Sequence, residues 1–336
     1  MATINDVSRL AGVSKATVSR VINDKGQIKD STRKIVFEAM QSLNYRPNSL
    51  AQALATKKSN SIGLITSVFD GNYFGVLLKE SAKLADQAGK QLIVTDGHND
   101  PHREMEAIDS LIDRHCDVIL LYSRKLTQQN FKDIKARTSI PIVIINRQVI
   151  DNTYCSVWFD HFHASKLAVN HLLELGHTSI ACITGAASTR TVKLRYKAYQ
   201  ESLNQRGLKV NTELVEQGDY MIEGGYNACK NLIAKKQKFT ALYAFNDDMA
   251  IGAIRALHEA DIKVPEQVSV IGIDNEPFAS FVTPSLSTIE LPIKDITNAA
   301  MKIALDFANG IDVSISSTIF RGKMIKREST ISNSCK

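Results

Sequence analysis

The run Asp117-Val118-Ile119-Leu120-Leu121 constrains this chain more than any other segment. After the aspartate it is apolar without alternation. An unbroken apolar stretch of strand length fits a strand covered on both faces, which is the environment of a parallel sheet flanked by helices. The surrounding sequence repeats the theme. Short apolar segments fit strands at 62–66, 91–95, 117–122, 142–145 and 156–159, and amphipathic stretches fit helices at 75–88, 102–114 and 128–137. The alternation restarts at 179–184, with later strands near 241–245 and 269–272. Strand–helix alternation of this kind predicts a doubly wound α/β architecture, and its restart predicts two such lobes. The repeat is one of pattern, without clear internal sequence identity.

Residues 1–60 read differently. They hold ten Lys and Arg against four acids, so the whole +6 excess of the chain lies there and the remainder is balanced. A basic end on a neutral body fits contact with a polyanion. Ile4, Val7, Leu10 and Ala11 recur at helical spacing; Gly12 ends that helix, and Ser14 stands where the N-cap of a second, 15–22, belongs. Ser31 is expected to cap a third, with Ile35, Val36, Ala39, Met40 and Leu43 as its apolar stripe. Helix, glycine turn, helix and bracing helix make the helix-turn-helix plan, whose second helix enters the major groove. Lys15, Thr17, Ser19 and Arg20 face outward. Arg20 suits a bidentate contact to a guanine edge, Ser14, Thr17 and Ser19 suit phosphate or base contacts, and Ala16 suits a thymine methyl. Pro47 breaks the third helix, and Asn48 is placed to cap a short fourth over 49–55, marginal on its own in water. Residues 56–61 are a polar joint.

Other classes find little support. No run of about 18 apolar residues offers a membrane span. The first residues lack a secretory signal, so a cytoplasmic location is expected. The five cysteines are scattered and form no Cys-x-x-Cys, which fits reduced, packed thiols. Gly-x-Gly-x-x-Gly, the phosphate loop Gly-x-x-x-x-Gly-Lys-Ser/Thr and Gly-x-Ser-x-Gly are missing from the sequence, so no enzyme and no cofactor are expected. His161 and His163 would share a face in a strand, yet no third ligand supports a metal; helix-start or pocket polarity is the better reading. Asp100 and His102 fit a helix cap region. In an open α/β sheet, ligands bind beyond the C-terminal strand ends, and Asn246 and Asp274 each end a strand, with Arg195 expected to open a helix after Thr184-Gly185. Asp, Asn and Arg can grip neighbouring hydroxyls of a small polar ligand. Asp247 and Asp248 raise the question of a mere helix cap, the better reading for Asp248.

Thr3-Ile4-Asn5-Asp6-Val7, the stretch Ala11-Gly12-Val13-Ser14-Lys15-Ala16-Thr17-Val18-Ser19-Arg20-Val21-Ile22-Asn23, and Asn44-Tyr45-Arg46-Pro47-Asn48-Ser49-Leu50-Ala51 resemble the signature of the lactose/galactose repressor family. The likeness continues through Asn246-Asp247-Asp248-Met249-Ala250, Val268-Ser269-Val270-Ile271-Gly272-Ile273-Asp274 and Pro284-Ser285-Leu286-Ser287-Thr288 to Arg327-Glu328-Ser329, nearly the whole chain. Ser8 stands where the family often has Ala, and Asn275 where a second Asp is common. The resemblance implies a helix-turn-helix head (1–46), a hinge helix and linker (47–60), and a periplasmic-binding-protein-like body. Its first lobe would be 61–160 with 292–320 and its second 161–291 with 321–330, leaving a tail from 331. DNA contacts would come from the second-helix residues named above with Asn23, Tyr45 and Asn48. Leu54 would act as a minor-groove wedge, flanked by the small Ala51 and Ala55; a plain linker with an incidental leucine is the competing reading. The effector would meet Arg195, Asn246 and Asp274, with Asp70, Tyr73, Phe74, Arg124, Asn146, Asp160 and Tyr220 as neighbours. The resemblance thus points to a homodimeric repressor of palindromic operator DNA controlled by a small galactoside or glucoside. A purine effector, a phosphoprotein corepressor, or sugar binding without regulatory DNA binding are the alternatives. The tail lacks a leucine heptad, so no tetramerisation helix is expected.

Overall fold

The computed structural model describes residues 2–23, 26–46, 59–69, 71–149, 153–186 and 189–333. Asn48, Ala51, Leu54, Ala55 and Asp70 lie outside the described residues, so the expected wedge helix and one effector neighbour fall outside this description.

Helix α1 (Ile4–Ala11) ends on Gly12 at φ 64°, a left-handed value that costs a residue with a side chain roughly 1–2 kcal/mol and glycine little. Helix α2 (Lys15–Ile22) follows at once. The Ser14 hydroxyl accepts the Thr17 N–H at 3.1 Å, a cap contributing about 1 kcal/mol. Helix α3 (Asp30–Ser42) starts earlier than expected. Ser31 is its second residue and not its cap; Lys29 holds the cap position without a side-chain bond, and Asp30 meets the positive end of the helix dipole instead. Val7, Ala11, Val18, Val21, Val36 and Ala39 close a small core of their own. Leu10 and Ile35 stay 56% and 47% exposed, because a short helix in a three-helix head turns only one stripe inward.

The body begins with β1 (Ser61–Thr66), α4 (Asn72–Gln87), β2 (Gln91–Asp96), α5 (Pro101–Asp113), β3 (Val118–Tyr122), α6 (Gln128–Arg137), β4 (Ile142–Ile145) and β5 (Cys155–Phe159). A second series runs α7 (His161–Glu174), β6 (Ile180–Thr184), α8 (Arg190–Gln205), β7 (Val215–Gln217), α9 (Ile222–Ala234), β8 (Ala241–Ala244), α10 (Asp247–Glu259), β9 (Ser269–Asp274) and β10 (Ser287–Glu290). The chain then places α11 (Ile293–Ala308) and β11 (Ser317–Phe320) on the first lobe and β12 (Lys323–Ile325) on the second.

The two sheets have the same order, β2-β1-β3-β4-β5-β11 and β7-β6-β8-β9-β10-β12. Every pairing is parallel except β10 with β12. All five residues of β3 are buried, as an apolar run between helix layers requires. Strands β7, β11 and β12 are short edges without an apolar run, and so carry no hydropathy signal. Strand β10 is buried but opens with Ser287 and Thr288, whose hydroxyls are bonded to Arg327 O and Asp247. In both sheets the order reverses beside the first strand, and the strand ends beyond that reversal face the space between the lobes. The chain passes between lobes at Asp160, at Leu291-Pro292 and at Arg321-Gly322.

Candidate functional site

The cleft between the lobes holds about 1070 Å³ of non-protein space, its mouth included. Loops at the C-terminal strand ends line it. From the first lobe come Asn72, Tyr73 and Phe74 at the start of α4, Tyr122 and Arg124 after β3, and Asn146 after β4. From the second come Thr191 and Arg195 on α8, Tyr220 after β7, Asn246 and Asp248 after β8, and Asp274 and Glu276 after β9. Of the expected effector residues in the described part, Tyr73, Phe74, Arg124, Asn146, Arg195, Tyr220, Asn246 and Asp274 therefore converge on one cleft.

Asp160 does not line it. Its carboxylate accepts the His163 N–H at 2.9 Å, capping α7, and lies 3.9 Å from the Arg321 guanidinium. Its neighbour His161, absent from the expected set, lines the cleft instead. Both histidines sit in the first turn of α7 and not in a strand.

Arg195 is 3% exposed. Its Nη1 donates to Phe245 O, and its Nη2 lies 3.8 Å from Asp274 Oδ1 and 3.2 Å from His161 Nδ1. An arginine can only donate, so His161 Nδ1 accepts and Nε2 carries the proton. That proton is donated to Asn146 Oδ1 at 3.0 Å, and the Asn146 amide donates to the Tyr122 hydroxyl at 2.8 Å. A directed row of hydrogen bonds thus crosses from the second lobe to the first. Burial, with Arg195 and Arg124 adding to it, holds the His161 imidazole well below its ordinary pKa, so the ring is neutral. Burial pushes the Asp274 carboxyl well above the ordinary range while Arg195 opposes. Burial also raises Glu276 to about 7, against a hydrogen bond with Asn72 that ties the lobes directly.

Asn246 caps α10: its Oδ1 accepts the Met249 N–H at 3.1 Å and its Nδ2 donates to Tyr220 O at 2.9 Å. The cap is thus Asn246 and not Asp248, which lines the cleft. Asp247 points into the protein, accepting from Thr288 Oγ1 at 2.5 Å and Glu276 N at 2.8 Å, and burial raises it to about 6. Tyr220 sits at φ 74°, and its ring covers Gly185 so closely that any side chain there would collide with it. Across the cleft, Tyr73, Phe74 and Tyr122 meet edge to face, and the Arg124 guanidinium lies 5.5 Å from the Phe74 ring centre and 5.9 Å from that of Tyr220. Tyr220 Oη, Arg195 Nε and Asn99 Oδ1 line the cleft buried, with no partner among the described residues. Buried polar atoms are almost always satisfied, so this set suits a ligand rich in donors and acceptors.

The head offers a second surface. Lys15, Ala16 and Arg20 are exposed on α2, Ser14 is exposed at its cap, and Thr17 and Ser19 are half-buried. The Ser14 and Thr17 hydroxyls bond each other at 2.9 Å. The Asn23 side chain donates to Ser19 O at 2.8 Å, closing α2, and Tyr45 packs against the head core. Ser59 N donates to Asp117 Oδ1 at 2.8 Å, and Asp117 pairs with a buried Lys90 at 3.1 Å, so the joint is anchored where β1 begins.

Residues 3–48 match the model of bacterial regulatory proteins of the lacI family, and 169–330 that of the periplasmic binding protein-like domain. The chain is 39% identical to the HTH-type transcriptional regulator AscG of Escherichia coli K12, over 99% of this chain and all of that protein. A sugar-binding transcriptional regulator of the LacI family from Escherichia coli, solved in complex with phosphate, is 36% identical and superimposes with a TM-score of 0.74 over 82% of this chain and 99% of its own. The lac repressor dimer bound to operator and the anti-inducer ONPF is 27% identical, with a TM-score of 0.87 over 98% and 99% of the two chains. No described helix is long and apolar enough to cross a membrane.

Proposed function

The chain belongs to the lacI family of bacterial regulatory proteins, and from that membership we propose that it is a homodimeric transcriptional repressor whose grip on a palindromic operator is released by a small glycoside closing the cleft. It is a DNA-binding regulator and not an enzyme. The observation that carries the effector reading is the cleft itself: Arg195, Asp274 and Asn246 beside the unpartnered Tyr220 hydroxyl, opposite a wall of rings. Carboxylate and guanidinium grip adjacent hydroxyls, and the rings cover the apolar face of a pyranose.

In this reading residues 1–46 read DNA, 47–60 join, 61–160 with 292–320 form one lobe, and 161–291 with 321–330 form the other. Arg20 reads a guanine edge, with Ser14, Lys15, Ala16, Thr17 and Ser19 around it. Asn23 and Tyr45 hold the recognition helix in place. The protein works in the cytoplasm, with the DNA. Two copies meet on the second lobe, where Ile251, Ile254, Val282 and Pro284 line a groove beside Phe281, which is 84% exposed. A ligand that binds the closed cleft more tightly shifts the body by that difference in affinity alone, and the shift reaches the joint held at Asp117.

Selection from random duplex DNA, with and without a panel of glycosides and hypoxanthine, tests this. An enriched palindrome lost on adding a glycoside is the expected result. Enrichment strengthened by hypoxanthine would replace the sugar with a flat purine against the aromatic wall and reverse the switch. No enrichment would overturn the repressor reading. Arg20→Ala is expected to flatten preference at one position per half-site and to leave the fold intact.

A further inference from the structure

Beside the main cleft, and opening from it, lies a smaller cavity of about 410 Å³. The two share Arg124, Asn146, His161 and Thr191. The small cavity is lined by three arginines, Arg124, Arg147 and Arg190, and by no carboxylate. None of the three has an ion-pair partner among the described residues. Arg124 lies over rings and Arg147 lies 4.9 Å from the Phe131 ring centre, while Arg147 Nη1 donates to Leu126 O at 2.5 Å. Arg147 Nε has no partner.

The geometry points to a second ligand contact: the cavity takes an anionic group, a phosphate monoester, carried on the same glycoside that fills the main cleft. This deepens the sugar reading and rests on it. Arg147 belongs to the first lobe and Arg190 to the second, at the first position of α8. Like charges across a cleft oppose its closing, and an anion between them turns that repulsion into attraction. Burial lowers the Arg147 pKa and the Arg190 charge lowers it further, so the two guanidinia feel each other. The N-terminal turn of α8, with Thr191 lining the cavity, adds its dipole in the same sense. The carboxylates that line the main cleft, Asp219, Asp248, Asp274 and Glu276, all belong to the second lobe, and none of them lines the small cavity. A ligand that brings hydroxyls to the main cleft and a phosphate to the small cavity matches that division, whereas a neutral glycoside leaves the three guanidinia without an anion inside the cavity, with only the buried Glu104 carboxyl acting on Arg147 from behind it.

Calorimetric titration of the full-length protein decides it, using methyl β-glucoside, methyl β-galactoside, their 6-phosphates and inorganic phosphate. Wild type is expected to bind one 6-phosphate at least tenfold more tightly than its neutral parent, with an affinity that falls as salt rises. Arg190→Met is expected to erase that difference and leave neutral-sugar binding unchanged. Equal binding of both forms, or a difference that survives Arg190→Met, would overturn the anion contact and leave the glycoside effector standing. If neither form of either sugar binds, the sugar reading loses its support separately, and inorganic phosphate decides the cavity. Stabilisation of wild type but not of Arg190→Met supports the anion contact, and no stabilisation removes it.

Discussion

The two lobes share a strand order and little of their chemistry. Among the described lining residues the first lobe presents rings and cations without a carboxylate, Tyr73, Phe74, Tyr122, Arg124 and Arg147, whereas the second sets Asp219, Asp248, Asp274 and Glu276 beside its own Arg190, Arg195 and Tyr220. The topology fixes where a side chain enters the cleft, and the loop residue alone decides what it does there. A fold used twice has thus produced a cleft with two unlike walls, suited to a ligand that is itself asymmetric.

The largest test of this contrast is Arg195→Met. Arg195 is the buried cation that keeps the acidic wall tolerable, and its loss strands Asp274 beside Asp248 and Glu276. Removing one partner of a buried pair costs about 3–5 kcal/mol, so urea unfolding at pH 7 should show a loss near that size. A loss under about 1 kcal/mol, the scale of an exposed pair, would mean the walls are not electrostatically distinct. Asp274→Asn keeps the shape and replaces the carboxyl that faces Arg195 with an amide. It is expected to leave the fold standing while glycoside affinity falls by about a hundredfold, the scale of a lost charged hydrogen bond of roughly 1.5–3 kcal/mol; unchanged affinity would place the sugar on the first wall alone.

Behind the first wall, Glu104 is fully buried, and that burial raises its carboxyl to about 7, opposed by Ser123 and Arg147. A carboxyl whose folded pKa is raised stabilises below its ordinary value near 4.5, and that contribution is lost as pH climbs through about 7. Glu104→Gln should therefore raise stability at pH 8 by about 2–3 kcal/mol and change it little at pH 4.5; an equal effect at both values would make it a packing effect. The smallest effect is expected from Tyr220→Phe. Removing an unpartnered hydroxyl should leave unfolding unchanged within about 0.5 kcal/mol, and weaken glycoside binding several-fold, as loss of a neutral hydrogen bond of roughly 1 kcal/mol does.

Much of this was legible in the residues, for identifiable reasons. Apolar runs marked the inner strands of both sheets except β10, whose Ser287 and Thr288 break the pattern, and Gly12 and Ser14 marked the turn of the head, because those signals are local. Arg195, Asn246 and Asp274 follow from the rule that ligands meet strand ends, joined to the family likeness. His161, read as helix-start or pocket polarity, is both, yet it and Glu276 escaped the set of effector neighbours because what brings them to the cleft is tertiary: one follows β5 at a crossing between lobes, the other is held by an Asn72 from the opposite lobe. Asp160 misled for the complementary reason, since a carboxylate at a strand end serves equally as the cap of the next helix. The edge strands β7, β11 and β12 are too short and too exposed to leave a pattern.

The three passages between lobes also set an order of events during synthesis. The three helices of the head touch one another, and their core is complete once residue 45 is made. The first lobe begins at Ser61 yet receives its covering helix α11 and its edge strand β11 only after nearly the whole second lobe has been translated, and β12 completes the second still later. A growing chain on the ribosome therefore carries a finished DNA reader long before it has a working switch. Control over the operator arrives last, with the final turns of the polymer.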